Sequence, residues 1–392
     1  MEFIVFGEDW GRHPSSSQHI IHQLQAQYPV TWINSIGLRQ PKLKLRDLNR
    51  IIEKLTQRWR QPSPTTPSKS SESKVPLINA APQHIIRPLV WPLAQHPLLQ
   101  TVNRLSLKRQ LPAKQQPRVI WAALPSAVDY LTICDSDIVI YYCGDDFSAL
   151  AGVDHQATQA AEQRLLHRAD LVFACSPTLQ HKLQCLAPNA NIQLLPHGVA
   201  VSQFATPQSP PDNIDLDTPS VGFYGSIDHW LDITLITKLA TARPNLNFYL
   251  LGPVNCDIKT LKNHRNIHLL PAQPHHQLGR YLQHWSMAIL PFTPCPQIEA
   301  CNPLKLREYL AAGCPVISTH FPALQPYLSA VTVANNLQTW LQAIDHYSNW
   351  TSTERQQYRQ ATQQLVKDES WQCRAQHVLS QLQPLLLSAP HR

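Results

Sequence analysis

The sequence predicts an α/β protein of two domains, each built around a parallel sheet. Strand-like apolar runs alternate with longer amphipathic stretches, the rhythm of parallel strands joined by helices. That rhythm breaks at a polar, proline-rich stretch from Thr206 to Pro219 and restarts at Val221, which marks an interdomain linker. A length of 392 residues is enough for two cores of ordinary size, and an apolar content of 43% excludes a disordered chain.

The first-half strands are expected at Phe3 to Phe6, Val30 to Ile33, Ile85 to Pro88, Val119 to Ala122, Ile138 to Tyr142, Leu171 to Ala174 and Ile192 to Leu195. Helices are expected at Ser16 to Gln27, with an N-cap among Ser15, Ser16 and Ser17, and at His155 to Arg168. Residues 61–76 are dense in Pro and Ser and poor in apolar side chains, so they read as a flexible insertion. In the second half, strands are expected at Val221 to Gly225, Phe248 to Leu251, Ile267 to Leu270, Met287 to Pro291 and Val316 to Ser318. The helices between them are Leu231 to Ala242, Gln277 to His284 and Leu304 to Ala312, and the tail from Ser352 to Leu387 is helical in pattern. Gly313 suits the left-handed position after the third helix, with Pro315 as a stop.

Lys and Arg exceed Asp and Glu to give a formal charge of +7, but the bases form no stripe, so nucleic-acid binding is not expected. Nine cysteines without a C-x-x-C pair fit reduced thiols in a cytoplasmic protein better than disulfides or zinc. Met1 to Gly7 reads as a first buried strand rather than a signal peptide, and no 18-residue apolar run is present. Bases alternate with apolar residues from Lys42 to Arg60, a pattern that fits either a solvated helix or a peripheral contact with the inner face of the plasma membrane. His275-His276 reads as a solvated surface pair, and no metal site is expected. Trp91, Trp121 and Trp285 read as core packing.

Chemistry concentrates in Asn302-Pro303-Leu304-Lys305-Leu306-Arg307-Glu308. Pro303 suits the first turn of a helix, because its missing N–H would be unpaired there. The helix tip offers free N–H groups and partial positive charge, a seat for a diphosphate, and Lys305 adds a full charge. Glu308, three residues on, lies on the same face and can accept from two vicinal sugar hydroxyls. An ordinary amphipathic helix with an i, i+3 ion pair fits the same spacing. Gly225, directly after a strand and before Ser226, lets backbone approach a ligand closely. Asp145 and Asp146 follow a strand at the edge where open sheets place ligands; a helix N-cap is the competing reading. The loop with Asp9, Gly11 and Arg12 is a second cleft candidate, although Arg12 and His13 also fit a plain surface.

In this order the pieces resemble retaining GT-B glycosyltransferases (glycosyltransferase group 1, the teichuronic acid biosynthesis type). The resemblance is dense over Gly222 to Ile227, Leu250 to Val254, Asn266 to Leu270, Ala288 to Phe292 and Asn302 to Ile317. It is looser over Gly7 to Arg12, Tyr141 to Asp146 and Leu195 to Val199. It implies two Rossmann-like domains facing a cleft, with a C-terminal helix packing back toward the N-terminal domain. Residues 1–205 would form the acceptor domain, 220–365 the nucleotide-sugar domain and 366–392 the returning helix and tail. Gly225, Ser226, Asn302, Pro303, Leu304, Lys305 and Glu308 would hold the nucleotide, Glu308 on its ribose. Asp145 and Asp146 are the catalytic candidates, and Asp9, Gly11 and Arg12 the acceptor candidates. The implied reaction is metal-independent transfer, with retention, from a nucleoside-diphosphate sugar to a cell-surface glycan or lipid-linked acceptor, with no cofactor. Three positions depart from the pattern: Ala300 replaces the first Glu of the E-x7-E motif, Ser226 and Leu231 stand near the usual Arg and Lys, and Gly144 replaces the usual His. They motivate an alternative, a non-catalytic GT-B subunit that binds nucleotide or glycan and regulates a partner enzyme.

Overall fold

The computed structural model describes residues 1–11, 15–36, 81–88, 97–150 and 153–388. In the first domain the strands are β1 (Glu2–Phe6), β2 (Val30–Ile33), β3 (His84–Ile86), β4 (Arg118–Ala122), β5 (Ile138–Cys143), β6 (Leu171–Ala174) and β7 (Ile192–Leu194). They form one parallel sheet in the order β3-β2-β1-β4-β5-β6-β7. The second sheet repeats the plan with β8 (Ser220–Tyr224), β9 (Asn247–Leu251), β10 (Ile267–Leu270), β11 (Met287–Leu290), β12 (Val316–Ser318) and β13 (Val331–Val333), ordered β10-β9-β8-β11-β12-β13. In both sheets the strand order reverses at the first strand, between β1 and β4 and between β8 and β11. The crevice beyond the strand C-termini at such a reversal is where doubly wound sheets bind ligands.

Helices cover both faces, which is why β1, β4, β5 and β11 are buried along their whole length and, past Glu2 and Arg118, read as apolar runs. One apolar cluster fills the second domain, and two flank the first sheet. The helix Trp371–Ser388 returns to the first domain. Trp371, Ala375, Val378 and Leu382, spaced along one helical face, pack with Ile20, Ile21 and Leu24 of the helix Ser16–Leu24. Val199 bridges to Ser370 where the chain crosses between domains in both directions. Val199 and Phe204 already belong to the core of the second domain.

The stretch from Thr206 to Pro219 is bound to the second domain. Gln208 donates its N–H to Gln283 Oε1 at 2.8 Å, Arg280 donates to the carbonyls of Ser209 and Pro210, and Asp215 donates to the Tyr249 hydroxyl. Ser15 caps its helix by accepting from the Gln18 N–H, as its position before the apolar run predicts. The tail expected to be helical forms two helices, Ser352–Val366 and Trp371–Ser388, parted by a 3-10 turn at Lys367–Glu369. The helices Pro97–Lys108, Pro177–Leu186 and Leu337–Ser348 and strand β13 were not foreseen. For Pro177–Leu186 a signal was present: Ser176 caps and Pro177 starts the helix. Trp121 and Trp285 are buried. Trp91, residues 61–76 and the Lys42 to Arg60 segment lie outside the described residues.

Candidate active site

The helix Leu304–Ala312 begins where the two domains meet. Pro303 is its N-cap residue, one position earlier than expected, because its ψ of 123° is extended rather than helical. No side chain caps this end, so the first-turn N–H groups keep their partial positive charge. Asn302 is spent on structure: its Nδ2 donates to the Cys175 carbonyl in the first domain at 2.5 Å, and its Oδ1 accepts from Arg307. Ser176 Oγ donates to the Ala300 carbonyl at 2.7 Å. Arg307 in turn donates to Glu369, which also accepts from Tyr327 and Arg374. These bonds fix the helix tip against the C-terminal end of β6. Leu304 packs on the first domain's apolar cluster. Gly313 closes the helix in the left-handed region, φ 71°.

Lys305 points along the first turn toward β8. Its Nζ lies 4.7 Å from the centre of the Phe223 ring and 5.8 Å from that of Phe292. It makes no hydrogen bond or ion pair among the described residues. Burial lowers its pKa to about 8, against the attraction of Cys301 and Glu308. A Cβ on Gly225 would stand 2.5 Å from this Nζ, so only glycine leaves the ammonium its place. Gly225 (φ 134°) nests against Gly252 (φ 141°), whose own Cβ would meet the Gly225 carbonyl oxygen at 2.0 Å. Ser226 accepts from Asn255 Nδ2 at 2.7 Å.

One turn further, Glu308 is buried with both oxygens engaged. Oε1 pairs with His275 Nε2 at 2.5 Å, and Oε2 accepts from the Tyr224 hydroxyl. Burial alone would raise this carboxyl; the charge of His275 and the bonds from His275 and Tyr224 outweigh it and hold the pKa below the usual value. For His275 the balance runs the other way. Burial pulls its pKa down, and Glu308 more than reverses that, so the net shift is upward. The expectation of a solvated His275-His276 pair is therefore corrected for its first member. A 3-10 turn after Pro274 directs His275 onto Phe204, Gln203 and Glu308, while His276 remains exposed. Behind it lies His19 of the first domain, 6.1 Å from His275 and stacked on Trp371 at 4.6 Å. Burial, then the His275 charge, lowers His19 to about 4. Sequence reasoning missed Tyr224, His275 and His19, because only the fold brings β8, the turn after β10 and the first helix together.

Across the junction, Asp145 and Asp146 follow β5. The Asp146 carboxylate is engaged by Lys182 Nζ at 2.6 Å and Ser148 Oγ at 2.7 Å; burial works against it, but these partners win and lower its pKa. Among the described residues, the Asp145 carboxylate accepts from the Asp146 N–H, at 2.8 Å. Its pKa is raised by burial first and then by Asp146, and its charge acts on Cys175 and Cys301 beside the helix tip. Asp9 turns away to accept from the Ser35 N–H and hydroxyl. Gly11 (φ 76°) has open space where a Cβ would stand; Arg12 lies outside the described residues. Glu8, in the loop after β1, has its pKa raised by burial. Among the described residues no group of three or more His, Cys, Asp or Glu side chains is placed to hold a metal ion, and no helix is long and apolar enough to cross a membrane.

Two doubly wound parallel domains, a crevice at their strand reversals and a C-terminal helix returning to the first domain define the GT-B fold. No protein-family model matches the chain. The chain is 26% identical over 277 residues to the Bacillus subtilis (strain 168) protein TuaH, named as a teichuronic acid biosynthesis glycosyltransferase; the match covers 65% of this chain and 69% of TuaH. Its fold is similar to sucrose-phosphate synthase of Thermosynechococcus elongatus, with a TM-score of 0.66, 15% identity and 100% coverage of both chains. It is also similar to Anabaena Alr3699/HepE in complex with UDP-glucose (TM-score 0.65, 11% identity, 98% and 100% covered). A third likeness is to trehalose-6-phosphate synthase studied for glycosyl transfer with retention (TM-score 0.65, 12% identity, 98% and 99% covered). Fold and relatives together support a GT-B glycosyltransferase.

Proposed function

We propose that this protein transfers a sugar, with retention, from a nucleoside-diphosphate sugar to a cell-surface glycan or lipid-linked acceptor. The observation that carries this reading is Lys305. A half-buried ammonium with no hydrogen bond or ion pair among the described residues costs stability unless an anion arrives. It sits on an uncapped helix N-terminus and over a glycine that leaves room for it. A diphosphate fits that charge. The adjoining ribose then falls toward Glu308, and the transferred sugar toward the Asp145 end of the junction. As the bond to the diphosphate breaks, Lys305 and the helix tip stabilise the developing negative charge. The acceptor hydroxyl attacks from the face the diphosphate leaves and gives its proton to the departing phosphate oxygen, with Asp145 the candidate to contact the acceptor. The scheme needs no cofactor, and its charge balance is met by Lys305 and the helix end. The similarity to TuaH, named for teichuronic acid biosynthesis, favours a cell-envelope polymer as acceptor.

The test is release of nucleoside diphosphate from UDP-, GDP-, ADP- and dTDP-sugars in the presence of lipid-linked and soluble glycan acceptors. Turnover with one donor is expected. Tight binding of a diphosphate with no turnover for any donor would replace this reading with that of a regulatory subunit.

A further inference from the structure

The Glu308 carboxylate is held by two partners of the second domain, and one of them, His275, has no part in the reading above. His275 Nε2 lies 2.5 Å from Glu308 Oε1. Its Nδ1 lies 3.2 Å from Gln203 Nε2, which also donates to the His275 carbonyl at 3.0 Å. Its ring stands edge-on to Phe204 at 5.4 Å. The ring therefore has little freedom to rotate.

We propose that His275 is a positioning residue for the donor's pentose, keeping Glu308 ionised and oriented so that both its oxygens accept from vicinal ribose hydroxyls. The inference rests on the donor-site reading and names what that site requires. Each carboxylate oxygen has two acceptor directions; His275 and Tyr224 take one on each and leave the other for a hydroxyl. A protonated Glu308 would lose one of those acceptors to its own O–H. Burial pushes Glu308 toward that state, and the partner at Oε1 prevents it. His275 donates from Nε2 whether neutral or protonated. Other titratable groups near it are few: Lys305 and Glu308 on the helix Leu304–Ala312, the Tyr224 phenol at the end of β8, and His19 on the helix Ser16–Leu24, with His22 a turn beyond it. His19 is neutral near pH 7 and adds no competing charge.

The experiment compares UDP, GDP and ADP with their 2′-deoxy forms by calorimetry at pH 5.5 and 7.5, on the wild type, His275→Phe and His275→Gln. The ratio of ribo to deoxy affinity isolates the ribose contact, because changes in phosphate ionisation cancel. In the wild type one diphosphate binds, with a ratio of about 10 or more at both pH values, since a hydrogen bond to a charged group is lost in the deoxy form. His275→Phe keeps the ring contact with Phe204 and removes the donor. Its ratio falls toward one at pH 5.5 and partly returns at pH 7.5. His275→Gln restores a donor without charge and lies between the two. A ratio of about 10 at both pH values in His275→Phe overturns this inference while leaving the donor site standing. A wild type that binds none of the three diphosphates overturns both.

Discussion

The two sides of the crevice carry their polar groups in opposite states. On the second domain, Lys305 has no hydrogen bond or ion pair among the described residues, and the helix tip above it is uncapped. On the first domain the acids are mostly consumed by their own fold: Asp146 by Lys182 and Ser148, Asp9 by Ser35. An unpaired buried charge is costly and persists in a fold when a ligand completes it. Paired charges repay their desolvation within the protein. The second domain's side thus offers an unpaired cation, and the first domain's side a frame from which, among the described residues, Asp145 stands partly free.

The largest effect should come from Lys305→Met. Losing a charge-assisted contact to the diphosphate should weaken its binding by about 100-fold. Folding stability should hold or rise, because a desolvated ammonium disappears. The wild type carries a matching pH signature. With the free pKa lowered to about 8, a rising proportion of Lys305 is neutral above that pH, and binding must then draw in a proton. Diphosphate affinity should fall by up to about tenfold per pH unit above 8 in the wild type and stay flat in Lys305→Met. Titration calorimetry from pH 7 to 9.5 measures both. A loss of stability in Lys305→Met without a loss of affinity would place the lysine in the frame and break the contrast.

Next in size is the split between neighbours Asp145 and Asp146. Asp145→Asn should lower turnover by about 100-fold with diphosphate affinity unchanged, as for a group acting near the reacting centre. Asp146→Asn breaks the contact with partly exposed Lys182 and should cost about 1 kcal/mol in denaturant unfolding, with a smaller effect on turnover. The reverse pattern would mean that Asp146 leaves Lys182 when substrate binds.

The same asymmetry explains what the sequence discloses. The second domain is legible because its function lies within one continuous stretch. Pro303, Lys305, Glu308 and Gly313 sit on a single helix, whose start, face and end follow from spacing. Its strands also match expectation closely, Ile267–Leu270 and Val316–Ser318 to the residue. The partners of Glu308 were not legible, because Tyr224 and His275 come from separate segments of the second domain, and His19 joins His275 only when both domains are assembled. Adjacent His275 and His276 look alike in sequence, yet one is enclosed and the other exposed, a difference decided by the turn after Pro274. Nor are the side-chain bonds of Asn302 disclosed by the sequence: its amide bridges the Cys175 carbonyl and Arg307.

The smallest expected effect tests how far the acceptor side is frame alone. Asp9 stands at the mouth of the first sheet, where acceptors should enter, but its Oδ1 accepts from the Ser35 N–H at 3.2 Å and from the Ser35 hydroxyl at 2.9 Å. Those bonds tie the loop after β1 to the end of β2. Asp9→Ala should therefore cost about 1 kcal/mol of stability through the two lost hydrogen bonds. The loosened loop should raise the acceptor KM by about threefold, while kcat and the donor KM stay near wild type. Steady-state kinetics with the acceptor varied at saturating donor separates these terms. A fall in kcat comparable to that of Asp145→Asn would put Asp9 at the reacting centre, and the first domain would then hold a second free acid in place of a frame with one.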